Sequence, residues 1–269
     1  MANLYFARSS TEAAEIAVSL LEKTSGSVSP DPGELDARPN GYFRGLFSGG
    51  TMALETLQGV GPFLSPIHSN LGVSNAEQLS DPTKSQGHTI LDLGADEYTV
   101  GRLHPMMDSH LRNERLLQEA ADPETGLIML DVILGRGSHA NPGEDLAPVL
   151  DAIRAQKGPH CLALVVGTDE DPQDREATVG QLEEAGATVA SSLAELLPSI
   201  VHHCSEAPEP ISPTPPLELL TSPQEVVNVG LEIFYDELID QEVSVVQVDW
   251  RPPAGGNPKL MSILKRMNS

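Results

Sequence analysis

Cysteine is nearly absent from this 269-residue chain, and the two that occur, Cys161 and Cys204, form no Cys-x-x-Cys pair. A disulfide framework and a structural zinc site therefore have no support. Basic residues are also few: 16 Lys and Arg face 39 Asp and Glu, a formal net charge of −23. Such a balance repels nucleic acid and anionic lipid, so neither is expected as a partner. An anionic substrate would need Arg, His or N–H donors concentrated in one place. Long apolar runs are missing as well: no window approaches the roughly 18 consecutive apolar residues of a membrane span. Met1-Ala2-Asn3-Leu4 lacks a basic segment ahead of an apolar one, so the expected location is the cytoplasm. His104, Asp108 and His110 come nearest to a ligand cluster. Pro105 falls where a helix carrying them would begin, and no supporting partners are legible, so neither a metal nor another cofactor is expected.

What is present is organised around Tyr42 to Glu55. The run Tyr42 to Phe47 suits a buried strand, and Gly49 and Gly50 allow a turn that a Cβ would resist. Ser48 or Thr51 can cap a following helix that carries Met52, Ala53 and Leu57. Free N–H groups and the helix dipole at such a start favour a phosphate or carboxylate. An ordinary strand-to-helix turn has the same pattern, and the lysine of a Walker loop is missing.

Residues Leu4 to Ala7 suit a short strand, and Ser9-Ser10-Thr11-Glu12 has the form of a capping box ahead of an amphipathic helix. Residues 25–40 read as a connection, and 59–87 carry no clear period. From His88 onward, strands alternate with helices. The strands are predicted at residues 89–93, 127–134, 161–166 and 188–190, and the helices over 107–121, around Leu146 to Ile153, near 179–185, and around Leu193 to Ile200. Strands apolar on both faces in this alternation predict an α/β domain with a flavodoxin-like, mostly parallel sheet, whose ligands collect beyond the carboxyl ends of the strands. Five prolines between Pro208 and Pro216 mark a linker. The expected domains are thus 1–205, a linker over 206–222, and a small β-α-β unit over 223–269. That last unit has strands near 226–230 and 243–248, and a closing helix capped by Asn257 with Pro258 at its first position. A unit so small is expected to dock on the main domain or on a partner.

Three blocks resemble the FdrA family, whose members are similar to succinyl-CoA synthetase subunits. They are Arg44 to Thr51; Gly87 to Gly94 continuing through Glu97 to Asp108; and Leu111 to Arg115 with Asp122-Pro123 and Leu130 to Gly135. Asn228 to Glu232 and Val248 to Asn257 resemble a segment shared by FdrA-like chains and their YlbE-like partner. The resemblance implies a CoA-ligase-like domain and a subunit of oxamate carbamoyltransferase in allantoin (purine) catabolism. That enzyme interconverts oxalurate plus phosphate with oxamate plus carbamoyl phosphate. It also implies companion protein subunits, because FdrA chains usually carry a CoA-binding-like domain ahead of the Ser-Gly-Gly-Thr block. The alternatives are a subunit of an NDP-forming acyl-CoA synthetase (a succinyl-CoA ligase) and a noncatalytic scaffold subunit. Succinyl-CoA synthetase alpha subunits place a phosphorylated histidine after the strand matching Leu162 to Val166. This sequence has Gly167-Thr168-Asp169-Glu170-Asp171-Pro172 there instead.

On the transferase reading, Ser48, Gly49, Gly50 and Thr51 would bind phosphate, by analogy with the phosphate-facing helix starts of succinyl-CoA synthetase. Arg102 and His104 would pair with the second anion as the catalytic residues. Arg102 has a rival role as a surface ion-pair partner. Asp92 and Asp131 end apolar strands and either orient substrate N–H groups or cap the turns that follow. Arg112 and Arg115 are expected to pair along a helix face with Glu114 and Glu119, His202, His203 and Cys204 to lie in solvent, and Arg251 to join an anion site at a subunit boundary or a plain loop.

Overall fold

Tyr42 to Phe47 forms the strand about which the larger unit is built. The computed structural model describes residue 7 and residues 10–22, 41–204 and 225–248. Its elements, in order, are α1 (Ser10–Glu22), β1 (Tyr42–Phe47), α2 (Gly50–Val60), β2 (Ile67–Ser69), β3 (Glu77–Gln78), β4 (His88–Asp92), α3 (Asp96–Thr99), α4 (His110–Ala121), β5 (Thr125–Ile133), α5 (Pro142–Ala155), β6 (His160–Val166), α6 (Arg175–Glu184), β7 (Thr188–Ala190) and α7 (Leu193–Cys204). A second unit contains β8 (Glu225–Val229), α8 (Glu232–Asp240) and β9 (Ser244–Val248). The chain divides into compact units Met1–Ser212 and Pro213–Ser269.

Seven strands form one sheet in the order β3-β2-β4-β1-β5-β6-β7, and every neighbouring pair is parallel. This is the doubly covered parallel sheet that the alternating pattern predicts. Helices α2 and α7 cover one face, where Phe43, Phe47 and Met129 meet Leu57, Leu196 and Ile200. Helices α4, α5 and α6 cover the other, where Leu46, Leu130 and Val165 meet Leu116, Leu150 and Leu182. Strands apolar on both sides are what a sheet buried on both faces requires.

Residues 59–87, which show no period, contain the short strands β2 and β3. Three-residue and two-residue strands are too short to alternate visibly. Helix α4 begins at His110 rather than Met107, because Met107 and Asp108 first close a separate turn on the carbonyl of His104. The proposed strand over 4–7 (except residue 7), the linker and the closing helix lie outside the described residues. Among the described residues, no helix is long and apolar enough to cross a membrane.

One side chain of β1 breaks the apolar pattern. Arg44 is 1% exposed; its Nε donates to Glu119 Oε2 at 3.0 Å and its Nη2 to Asp122 Oδ2 at 3.1 Å. Glu119 also accepts from Arg115 Nε at 2.6 Å and Ser85 Oγ at 2.5 Å. Arg115 therefore does pair with Glu119, but in the interior: the face of α4 that carries Arg112, Arg115 and Glu119 is the buried one. Two cations around one carboxylate tie α4 to the central strand.

At the start of β4, Phe43 N–H donates to His88 Nδ1 at 3.0 Å. Burial, with the charges of Arg44 and His68, pushes His88 down to about 4. In the unfolded chain the same imidazole titrates near 6.5. Between those values the unfolded state binds more protons, so stability falls as pH drops from about 6.5 to about 4, where the loss is complete. Discounted for partial exposure, the contribution is about 1 kcal/mol. Denaturant midpoints at pH 7 and 4.5 test this: His88→Gln should lose less stability over the interval than the parent chain, and an equal loss would place the acid sensitivity elsewhere.

Candidate functional site

A parallel sheet sends all its carboxyl ends to one edge, and ligands of such sheets collect where the strand order reverses. Here β2, β3 and β4 lie on one side of β1, with β4 next to it, and β5, β6 and β7 follow outward on the other side. The reversal therefore lies at the end of β1, where Ser48-Gly49-Gly50 leads into α2.

Gly49 is the residue before the helix, extended at φ −163 and ψ 155, and no side chain caps it. Ser48 fails to cap because its hydroxyl is used elsewhere: both its N–H and its Oγ donate to Asp131 Oδ1, each at 2.8 Å. Among the described residues, the N–H groups of Gly49, Gly50 and Thr51 meet no protein acceptor. Three donors at the positive end of an eleven-residue helix are thus left at the reversal point.

Asp131, at the end of β5, is 1% exposed. Its backbone carbonyl and Oδ1 accept from Arg112 Nη1 at 2.5 and 3.2 Å. Burial pushes the Asp131 carboxyl up, opposed by the Arg112 charge and the Ser48 hydrogen bonds. Burial likewise pushes Arg112 down, opposed by Asp131 and Asp145. Asp131 therefore works inside the scaffold, fixing the Ser48 turn. Arg112 pairs with Asp131 and not with Glu114, because α4 turns it inward. A helical wheel of α4 that placed Leu116 on the core side would have placed Arg112 beside it, one turn away.

Asp92 ends β4 beside the turn. Its Oδ1 accepts from Gly94 N–H at 2.9 Å, and its Oδ2 lies 3.0 Å from where a Cβ on Gly50 would stand. Burial raises the Asp92 carboxyl; the Gly94 hydrogen bond and His104 pull it back, while Glu97 adds to the rise. Asn70, unforeseen in the sequence, holds the strand end by accepting from Asp92 N–H and donating to its carbonyl, both at 2.9 Å.

His104 Nδ1 accepts from Met106 N–H at 3.3 Å, so the neutral ring carries its proton on Nε2. That nitrogen lies 2.5 Å from the position a Cβ on Gly94 would occupy, and the Ser48 carbonyl oxygen lies 2.6 Å from the same point. The structure thus gathers Ser48, Gly49, Gly50, Asp92, His104 and Asp131 at one edge of the sheet. Arg102 is not among them. It is exposed and lines an outer hollow of about 400 Å³ with Leu93, Tyr98, Leu111 and Glu114. Its loop leaves α3 before the chain turns back through His104.

Gly94→Ala should displace either His104 or the Ser48 carbonyl and lower stability by about 1–3 kcal/mol. Denaturant unfolding and the His104 ring NMR shifts test it; an unchanged midpoint and unchanged shifts would show slack that these distances deny.

Two further loops reach this edge. Gln173 was also invisible as a lone polar residue: its Oε1 accepts from Gly135 N–H at 2.9 Å, and its Nε2 donates to the carbonyls of Gly135 and His139 at 3.0 Å. In the loop after β6, Asp171 Oδ2 accepts from Thr168 N–H at 2.7 Å. Near α7, His203 bonds the Ser199 carbonyl at 2.7 Å and Cys204 packs on the core, so neither is simply solvated. Arg251 lies outside the described residues. Among the described residues, no group of three or more His, Cys, Asp or Glu side chains is placed to hold a metal ion.

A family model described as CoA-ligase matches residues 46–198, more than half of the chain. The Escherichia coli (strain K12) protein named "Uncharacterized protein YahF" is 40% identical over 156 residues, which is 56% of this chain and 30% of YahF. "Uncharacterized protein YahG" of the same organism is 44% identical over 46 residues, 17% of this chain and 10% of YahG. The chain thus covers less than a third of either relative.

Proposed function

The chain belongs to the CoA-ligase family, and we propose that it is a subunit of a succinyl-CoA synthetase-like acyl-CoA ligase that works with companion chains. The observation that carries this reading is the run of open amides at Gly49, Gly50 and Thr51 at the reversal point of the sheet. An acyl phosphate placed there has its phosphate met by three N–H donors and the helix dipole. Charge that gathers on the phosphate as a thiolate attacks the acyl carbon is stabilised where it develops. His104 offers Nε2–H beside the Ser48 carbonyl, close to the same turn.

Asp92 sets a constraint on this chemistry. An anion beside it raises its carboxyl further, so anion binding takes up a proton and weakens as pH rises. Sulfate, which does not titrate in this range, is the probe. Asp92→Asn should bind sulfate about fivefold more tightly, from about 1 kcal/mol of relieved repulsion, and should flatten the pH dependence. Weaker binding in the variant would make Asp92 a ligand holder instead.

The deciding experiment is nucleotide- and CoA-dependent thioester formation by the chain with its co-purifying polypeptides. Gly50→Val, which must push against Asp92, should abolish turnover while the assembly keeps its mass. Unchanged turnover would leave the chain a noncatalytic scaffold.

A second reading, the FdrA-type carbamoyltransferase, is favoured by one feature. The loop after β6 has no histidine to carry phosphate, and its Asp169, Glu170 and Asp171 would repel one. Carbamoyl phosphate would occupy the same amides, the oxamate nitrogen would attack its carbonyl carbon, and phosphate would leave. Carbamoyl phosphate formation from oxalurate and phosphate, with no thioester, would select this reading.

A further inference from the structure

Within residues 41–204 the two most exposed large apolar side chains are Val100, at 81%, and Leu103, at 61%. They flank Gly101 and Arg102 in the loop after α3, and Met107, a few residues on, is exposed as well. The loop is not slack. Val100 N–H donates to the Asp96 carbonyl at 3.2 Å and Arg102 N–H to the Thr99 carbonyl at 3.0 Å, while Gly101 turns the chain at φ +73. Its far end is held where His104 packs on Gly94. Apolar side chains displayed together on a held loop form a knob that another surface can cover.

The outer hollow of about 400 Å³ lies beside this knob, walled by Leu93, Tyr98 and Leu111, and Arg102 and Glu114 also line it. Its walls are fixed. Tyr98 Oη and Arg115 Nη1 both donate to the Pro82 carbonyl, at 2.7 and 2.9 Å, and Gln118 Nε2 donates to the Thr83 carbonyl at 3.1 Å. A preformed hollow spares an occupant the cost of ordering it. Among the described residues the Arg102 guanidinium has no acceptor, in a chain with 39 acidic residues. Glu114 faces the exposed His110 ring at 3.4 Å and no Lys or Arg among the described residues. A knob, a hollow, a cation and a carboxylate, each without its complement, thus share one face.

A two-fold axis between knob and hollow supplies all four complements at once, because each copy offers what the other lacks. Any other partner would have to carry all four itself. Asp96, Glu97 and Asp108 leave the face acidic, but they are exposed, and physiological salt screens such charges beyond about 8 Å. We propose that two copies of this chain associate through the loop after α3. Each copy seats Val100 and Leu103 in the other's hollow and sets its Arg102 against the other's Glu114.

Sedimentation equilibrium of the full chain at physiological salt tests this. The parent chain should show a doubled mass, and Leu103→Asp should return it to a monomer. Arg102→Glu should weaken association about tenfold or more by opposing like charges, and Glu114→Arg should do the same. Combining the two exchanges the charges across the axis and should bring the association to within about threefold of the parent. All three side chains are exposed in the single chain, so the far-ultraviolet circular dichroism of each variant should match the parent's. A parent chain that stays monomeric overturns the proposal, as does a doubled mass indifferent to Leu103→Asp and Arg102→Glu. A combined variant no better than the single ones also overturns it, because the two charges would then not meet. So does a complex of one copy with a co-purifying polypeptide that Leu103→Asp releases, which would give the face to that companion.

Discussion

Glu119→Ala is expected to lower the stability of the larger unit by about 3–5 kcal/mol, the cost of leaving a buried charge without its partner. The carboxylate serves two guanidinium groups at once, Arg44 at 3.0 Å and Arg115 at 2.6 Å, and all three side chains are nearly inaccessible. Arg44 Nη1 already lacks a partner, so losing the Nε contact as well would leave only Asp122 and the face of Tyr42, 5.6 Å away, to offset its charge. Glu119→Gln keeps the shape and one acceptor and should cost less. Joint replacement of Arg44 and Glu119 by Met and Leu should recover most of the loss, because a buried pair repays little more than its own desolvation. Denaturant unfolding followed by far-ultraviolet circular dichroism separates these outcomes. A Glu119→Ala loss under about 1 kcal/mol would mean that water reaches the cluster.

The layered parallel sheet is legible in the sequence because it depends on a pattern that local residues carry. Thr125–Ile133 and His160–Val166 are apolar on both faces, and that follows directly from burial between two helix layers. The strand-to-helix turn at Ser48-Gly49-Gly50 is legible too, because glycines after an apolar strand leave few other structures, whereas its place at the reversal of the strand order emerges only from the sheet topology. The illegible parts depend on partners distant in sequence. Arg44 looks misplaced in its strand until Glu119 and Asp122 are seen beneath it. Asp131 looks like a free carboxylate at a strand end until Ser48 and Arg112 close on it. Arg102 and His104 are two residues apart and suggest a joint site, yet the loop sends one to the outer hollow and the other to Gly94. Spacing in a loop carries no period from which direction could be read.

Asp131→Ala should cost about 3–5 kcal/mol in stability and also disable the anion site. The alanine leaves Ser48 N–H, Ser48 Oγ and Arg112 Nη1 without their shared acceptor at Oδ1, and Arg112 Nε is already unpartnered. A free Ser48 hydroxyl can then turn to the amides of α2 and occupy the donors that the phosphate needs. Sulfate affinity, measured by calorimetry on the folded variant, should fall about tenfold, the loss of one charge-assisted hydrogen bond. Asp131→Asn separates charge from shape. Its amide oxygen can still accept from Ser48 N–H, while Arg112 keeps only the backbone carbonyl, so stability should drop more than sulfate affinity does. Adding Arg112→Met to Asp131→Asn should then restore stability without changing affinity, since both buried charges are gone and the turn is still held. Losses that simply add in the double variant would show that Arg112 and Asp131 act independently. The turn would then owe its geometry to Gly49 and Gly50 alone.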